Sequence, residues 1–213
     1  MNHKILVWDL PTRVFHWLLV VSFAGAYLTA ESERLQLYHL TLGYTLAGLI
    51  AFRLVWGVLG TRHAQFRNFL PSVKKSWQYA LSLIGKAQVP HYVGHNPLGA
   101  LAIYALLLLG IAVSVTGYAY LQEMGGEWME EGHEIIANMM LALVGLHIVG
   151  VVISSIVHQE NLIRGMINGH KKGEDAQAIK SSLNMVGVLL LLAVAAFWTV
   201  AYLQPQAIGL VVE

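Results

Sequence analysis

The sequence predicts an all-α integral membrane protein: a bundle of four transmembrane helices, a fifth C-terminal transmembrane helix, and an amphipathic helix lying at the membrane interface. Three observations predict it. The chain is 56% hydrophobic and 12% charged, too apolar for an ordinary water-soluble domain. Five stretches, about 12–30, 36–59, 97–121, 134–158 and 183–203, are long enough to cross hydrocarbon, which takes about 20 apolar residues. The basic residues also divide sharply. Lys4, Arg13, Arg53, Arg62, Arg67, Lys74, Lys75, Lys86, Arg164, Lys171, Lys172 and Lys180 fall on one side of the five spans, and only Arg34 on the other.

The first span, 12–30, competes with a secretory leader. Lys4 is the only basic residue before Asp9, and Leu28-Thr29-Ala30 is a poor small-x-small cleavage site, so a retained helix is expected. The second span, 36–59, is interrupted by Arg53 near its end. The connection 60–96 predicts a helix at about 66–86 lying on the membrane. There Phe66, Phe69, Leu70, Val73, Trp77, Ala80, Leu81 and Ile84 recur at three- and four-residue steps, with Lys74, Lys75 and Gln78 turned away. Pro90 and the turn Gly94-His95-Asn96-Pro97 end this connection and start the third span. The fourth span, 134–158, leads into a polar segment, 159–182. The fifth, 183–203, has neither histidine nor charge and reads as a packing helix or a contact for another subunit. No repeat of fixed period and no low-complexity segment occurs. The expected division is a four-helix unit over 1–170, a cytoplasmic loop at 171–182 and an additional helix at 183–203.

The positive-inside rule puts the N-terminus in the cytoplasm and, with five spans, the C-terminus outside. Glu31, Glu33, Glu123, Glu127, Glu130, Glu131, Glu134 and Glu213 then lie outside, against Asp9, Glu160, Glu174 and Asp175 inside. Topogenesis accounts for the basic side. Acids contribute little to insertion, so the outer cluster is a candidate docking face for a basic partner.

An ionisable side chain inside a bilayer is expensive and usually functional, which makes the histidines the next signal. His16 lies about a turn inside the cytoplasmic end of the first span, and His39 about a turn inside the outer end of the second. His133 lies at the outer edge of the fourth span and His147 deeper. Fourteen residues separate them, about 21 Å of helical rise and a return to within about 40° of the same face. His39 therefore levels with His133, and His16 with His147. Two imidazoles from facing helices at one depth are what b-type haem requires. The spacing predicts two haems b stacked across the membrane, with these four histidines as axial ligands of the iron.

The absence of cysteine excludes iron–sulfur clusters, thiolate ligation and covalent c-type haem. Gly43, four after His39, and Gly150, three after His147, leave room for a flat macrocycle. Arg53, fourteen after His39, falls on the same face near the inner haem, where a propionate would neutralise it. Arg13 is a similar candidate, though snorkelling to the interface explains it equally well. His158, eleven after His147 and on the same face, is a geometric alternative that would leave His133 outside the membrane. One intramembrane histidine serves well as a helix–helix hydrogen-bonding group, but four at matching levels do not fit that role. A direct zinc or copper site is poor geometry, because His16 and His39 sit at opposite levels. His3, His63, His91 and His170 read as exposed loop residues, and Met139 and Met140 as core. His95 reads as the cap of the third span, with contact to a propionate or quinone as the weaker alternative.

Several motifs carry a family resemblance. They are Trp8-Asp9-Leu10-Pro11-Thr12-Arg13-Val14-Phe15-His16-Trp17, His39-xxx-Gly43-Tyr44, Phe52-Arg53-Leu54-xx-Gly57, Gly94-His95-Asn96-Pro97-Leu98-Gly99, Gly145-Leu146-His147 and Ser154-Ser155-xx-His158-x-Glu160-Asn161-Leu162. Over about residues 5–170 the chain resembles prokaryotic di-haem b-type cytochromes, the family of bacterial cytochrome b561 and of the cytochrome b subunit of nickel–iron hydrogenases. The resemblance implies a four-helix core with two b haems. It puts His16, His39, His133 and His147 at the ligand sites and Arg53 near a haem. It also implies electron traffic between the quinone pool, with quinone or quinol as co-substrate, and a periplasmic redox protein such as a c-type cytochrome or a hydrogenase-like subunit. The alternative is a stand-alone enzyme such as a superoxide:quinone oxidoreductase, against which the acidic outer face counts, since it repels an anionic substrate. The fifth span departs from the four-helix pattern. Membrane lipid is the remaining partner expected, and nucleic acid is not.

Overall fold

The computed structural model describes residues 3–83, 85 and 90–208. Among them lie seven α-helices: α1 (Leu10–Thr29), α2 (Gln36–Leu59), α3 (Val73–Leu83), α4 (Pro97–Leu121), α5 (Glu127–Val157), α6 (Leu162–Asn168) and α7 (Asn184–Leu203). Two short strands, β1 (His3–Leu6) and β2 (His170–Gly173), pair antiparallel. The protein is an all-α membrane protein apart from this ribbon.

The helix starts have local causes. The Asp9 carboxylate accepts the Thr12 N–H at 2.8 Å, and Pro11 occupies the first turn, where no N–H is needed. Asn96 and Pro97 repeat the device for α4, with Asn96 Oδ1 accepting from Gly99 N at 2.7 Å. The cap of α4 is therefore Asn96 and not His95. Helix α5 begins at Glu127, earlier than the expected 134, because Glu127 and Glu130 favour the positive end of the helix dipole. His133 thus sits inside the helix, past its first turn.

Four helical segments are long and apolar enough to cross a membrane: Glu33–Leu59, α4, α5 and α7. Helix α1 has 20 residues but is less apolar, since Thr12, Arg13, His16 and Ser22 occupy it. Helix α1 packs on α2 and α7, α2 on α4, and α4 on α5. At mid-bundle Phe23, Leu46, Ile50, Leu107, Val113 and Met140 form a continuous buried layer. The Trp198 indole N–H donates to Thr45 Oγ1 at 2.8 Å and ties α7 to α2.

Helix α3 differs from the expected 66–86 stretch. Pro71 separates it from a short turn at Phe66–Asn68, so Phe66 and Phe69 belong to another piece of backbone. Ile84 and Lys86 lie outside the described residues. The inward face of α3 is Ser76, Tyr79 and Ser82, while Val73 and Trp77 point out, 74% and 66% exposed.

The 159–182 segment is not a plain loop. Asn161 caps α6, Gly169 closes it at φ 83°, and the chain then returns as β2 along β1. Val7 N and Trp8 N both donate to Gly169 O, at 2.8 and 3.0 Å. Arg62 Nη1 donates to Ala176 O at 2.9 Å, and His63 Nε2 to Gln177 O at 2.8 Å. The N-terminus, the 60–96 connection and the 159–182 segment therefore meet at one end of the bundle and form a cap. Ile5, Val7, Trp8 and Val93 are its core, with Met166 and Ala178 against them.

Candidate functional site

At the end of the bundle away from the cap, His39 of α2 and His133 of α5 face each other. Their ring centres are 6.3 Å apart and their planes 82° apart. His39 Nδ1 is 2.9 Å from Ala26 O, a carbonyl in the last turn of α1 that also accepts from Thr29 Oγ1 at 3.2 Å. His133 Nδ1 is 3.0 Å from Val113 O and 3.2 Å from Thr116 Oγ1. Carbonyls only accept, so each Nδ1 carries its proton and each Nε2 keeps a lone pair. That is the usual arrangement of a metal-binding imidazole. Metal–nitrogen bonds of about 2.0–2.1 Å, plus about 1.1 Å from each nitrogen to its ring centre, would put two such centres about 6.3 Å apart. Gly117 of α4 makes room: a Cβ there would stand 2.8 Å from His133 Cε1.

At the cap end, His16 of α1 and His147 of α5 lie within electrostatic reach of each other. The Trp17 indole packs edge-on against His16, 5.1 Å between centres, and donates to Met166 O at 3.2 Å. His16 Nδ1 is buried and has no hydrogen-bond partner among the described residues. Such orphaned atoms are rare and call for a ligand or a strain account. Gly43, Gly48, Gly145 and Gly150 would each carry a Cβ into open space, with no atom within 4 Å. Open space at these four positions would accommodate a flat macrocycle.

Arg53 is the most deeply buried cation of the site, 3% exposed, and its Nη1 has no partner among the described residues. Its guanidinium lies 4.5 Å from the Phe66 ring centre and 5.9 Å from that of Phe69. A side chain at Gly57, one turn further along α2, would collide with the Phe66 ring, so glycine there admits it. Asp9 is close enough to act on Arg53 electrostatically. Its carboxylate is already engaged by Thr12 N, by Trp56 Nε1 at 3.2 Å and by Thr61 Oγ1 at 2.6 Å. An anion such as a haem propionate would satisfy the remaining donor. Arg13 points elsewhere: its Nη1 donates to Ile167 O at 2.6 Å, in the last turn of α6, where the dipole favours a cation. Its Nε is buried without a partner among the described residues.

His158 ends α5 and bonds Tyr79 Oη through Nε2 at 2.9 Å, with His91 as its other ring neighbour. The structure brings it to α3 and the cap. His95 packs between Trp8 and Phe69, at 4.6 and 4.2 Å between ring centres. Burial, and then Arg53 and Lys171, hold it well below the usual imidazole range. His63 is half-buried under Trp8 and not an exposed loop residue. Sequence reasoning missed the roles of Asp9, Phe66, Phe69 and Tyr79. Only Asp9 carried a readable signal, the Asp-x-Pro-Thr helix start.

Comparison with known proteins follows this geometry. The family model described as prokaryotic cytochrome b561 matches residues 7–169. A probable Ni/Fe-hydrogenase B-type cytochrome subunit of Azotobacter chroococcum mcd 1 is 27% identical, over 80% of this chain and 90% of its own. The subunit of the same description from Rhodobacter capsulatus is 24% identical, over 81% and 83%. The probable Ni/Fe-hydrogenase 1 B-type cytochrome subunit of Escherichia coli (strain K12) is 22% identical, over 78% and 89%. No solved structure matches the chain.

Proposed function

The chain belongs to the prokaryotic cytochrome b561 family, and on that premise we propose that it holds two haems b and relays electrons across the membrane between the quinone pool and a periplasmic redox protein. It is a multi-pass membrane b-type cytochrome of electron transfer. The observation that carries the finer reading is the His39–His133 pair, 6.3 Å apart with both Nδ1 atoms tied to carbonyls. In the proposed site these two residues hold the outer haem, and His16 and His147 the inner one. Arg53 faces a propionate of the inner haem. When bound, b haem supplies reversible one-electron chemistry. The residues orient it, exclude water and set its potential through hydrogen bonds, burial and charge. The mid-bundle apolar layer keeps the two ends apart.

Five membrane crossings, with α3 at the interface, accord with the cap. The N-terminus, the 60–96 connection and the 159–182 segment share one end only if α1 crosses too. By the positive-inside rule that end is cytoplasmic and the C-terminus periplasmic. Residues 1–170 then make the di-haem unit, and α7 an added helix on α1 and α2. The names of the relatives point to a hydrogenase-like partner, and a c-type cytochrome is the other candidate for the acidic outer face. A superoxide:quinone oxidoreductase is disfavoured by the same acidity.

The test is haem per polypeptide and the reduced-minus-oxidised spectrum of detergent-purified protein. Two b haems per chain are expected. One haem would reduce the relay to a single centre, and none would sink the reading.

A further inference from the structure

A row of ionisable groups at the cap end has no part in holding haem. Tyr79 Oη is 2.9 Å from His158 Nε2. The His158 and His91 ring centres are 5.7 Å apart. His91 Nε2 lies 3.7 Å from Glu160 Oε2, which lies 3.6 Å from Lys171 Nζ. The Glu160 and Lys171 side chains are 8% and 6% exposed, whereas His91 is 38% exposed and meets water.

Architecture explains half of this row. Glu160 Oε1 also accepts Lys172 N at 2.7 Å, and Lys171 Nζ donates to Tyr92 O at 3.1 Å, so that pair fastens β2 to its neighbours. It does not explain a phenol–imidazole bond under the inward face of α3. Tyr79 also lines a cavity of about 900 Å³, together with Phe69, Tyr92, His95 and Pro97. His95 is within electrostatic reach of His147. The cavity therefore has a neighbour of the inner histidine pair on one wall. On another it has a hydroxyl joined to a water-exposed imidazole.

We propose that Tyr79, His158 and His91 form a proton relay between the aqueous phase and this cavity, where quinone is reduced or quinol oxidised. The relay rests on the quinone reading given above. Reducing a quinone to its quinol takes two electrons and two protons. The electrons come singly from the reduced b haem that the His16–His147 pair would hold. Each proton passes from Tyr79 Oη to a quinone oxygen, forming an O–H bond there. His158 reprotonates Tyr79, and solvent reprotonates His158 by way of His91, whose ring centre is 5.7 Å away. Oxidation of quinol runs the same path backwards. The groups facing the relay are Tyr92 beside Tyr79, and His91, Lys171 and Glu160 beside His158. Burial, then His91 and Lys171, hold His158 below its ordinary range, which leaves it neutral and able both to accept and to donate.

The test uses haem-loaded, dithionite-reduced protein in detergent. Haem reoxidation is followed by stopped flow between pH 6 and 9, with decyl-ubiquinone or with ferricyanide, which takes an electron and no proton. In His158→Gln and Tyr79→Phe, oxidation by decyl-ubiquinone should slow at least about tenfold, the low end for lost general acid–base help or below. Its pH profile should steepen, and oxidation by ferricyanide should hold the wild-type rate. Quenching of tryptophan fluorescence by decyl-ubiquinone should give an unchanged affinity. His91→Gln, on the surface, should show a smaller slowing of the same kind. Wild-type quinone rates in the variants would overturn the relay alone, as would equal slowing with both oxidants, which marks a structural defect. A wild-type protein that never passes electrons to decyl-ubiquinone would overturn the quinone reading and the relay with it.

Discussion

The two histidine pairs are built on different principles. The His39–His133 pair is fixed by backbone: each Nδ1 meets a main-chain carbonyl, and Gly117 clears the space for one ring. The His16–His147 pair has no such tether at His16. Trp17 packs on His16, His95 lies within electrostatic reach of His147, and His95 in turn lies within reach of Arg53 and against Phe69, under a folded cap. Backbone carbonyls set orientation and ligand basicity without adding a net charge. A buried cation acts on any redox centre through its field. The first end is therefore held by geometry and the second tuned by charge.

The largest effect should come from breaking one pair at a time. His133→Ala should lower haem from two per polypeptide to one, and so should His147→Ala, with spectrally different haems remaining. The tethers of His39 survive in the first variant, and Arg53 with its rings in the second. Pyridine haemochrome quantitation against protein reads the number. If either variant lost both haems, the mid-bundle layer would not separate the ends. If His158→Ala lost one, the assignment of His133 would be wrong.

Arg53→Gln sharpens the contrast at the charge-tuned end. Removing a buried positive charge destabilises the reduced, more negative haem. The inner midpoint potential should fall, on the order of 70 mV for a charge roughly 10 Å away at an effective dielectric near 20. The outer midpoint should stay put. A spectroelectrochemical titration that moved both potentials equally would mean that the field of Arg53 is not confined to the cap end.

These contrasts were unevenly legible in the sequence. Residues 36–59, interrupted by Arg53, and 97–121, opened by the Gly94-His95-Asn96-Pro97 turn, read as apolar runs, and α2 and α4 occupy them. The depth of each histidine followed from helical rise. What could not be read depends on contacts between distant residues. The β1–β2 ribbon joins Leu6 to His170, and neither strand is long enough to announce itself by alternation. Phe66 and Phe69 match a helical stripe, but Pro71 cuts them off and Arg53 claims them. His63 reads as a loop residue and His95 as a helix cap, yet Trp8 packs on both. The tethers of His39 and His133 were equally invisible, because a carbonyl leaves no mark on the sequence.

The smallest effect should come from pH, and it should touch the cap end alone. His63 lies below its ordinary range because burial outweighs its bond to the Gln177 carbonyl, with Arg62 and Lys171 adding to the lowering. The unfolded chain then binds the proton more readily than the folded cap does. Stability is full above about pH 6.5, where His63 is neutral in both states, and declines as the pH falls from there towards the folded value. Hydrogen exchange at Val7 and Trp8, whose amides bond Gly169 O, reads the cap directly. Corrected for intrinsic rates, their protection should drop a few-fold, at roughly one proton of linkage, between pH 7.5 and 5.5. His63→Gln keeps an N–H for Gln177 O but does not titrate, so it should flatten part of that drop. His95 and His158, also lowered, account for the remainder. Protection near Ala26 and Val113, at the end held by backbone, should not follow this profile. A parallel loss there would mean that acid loosens the whole bundle and that the two ends are not separately built.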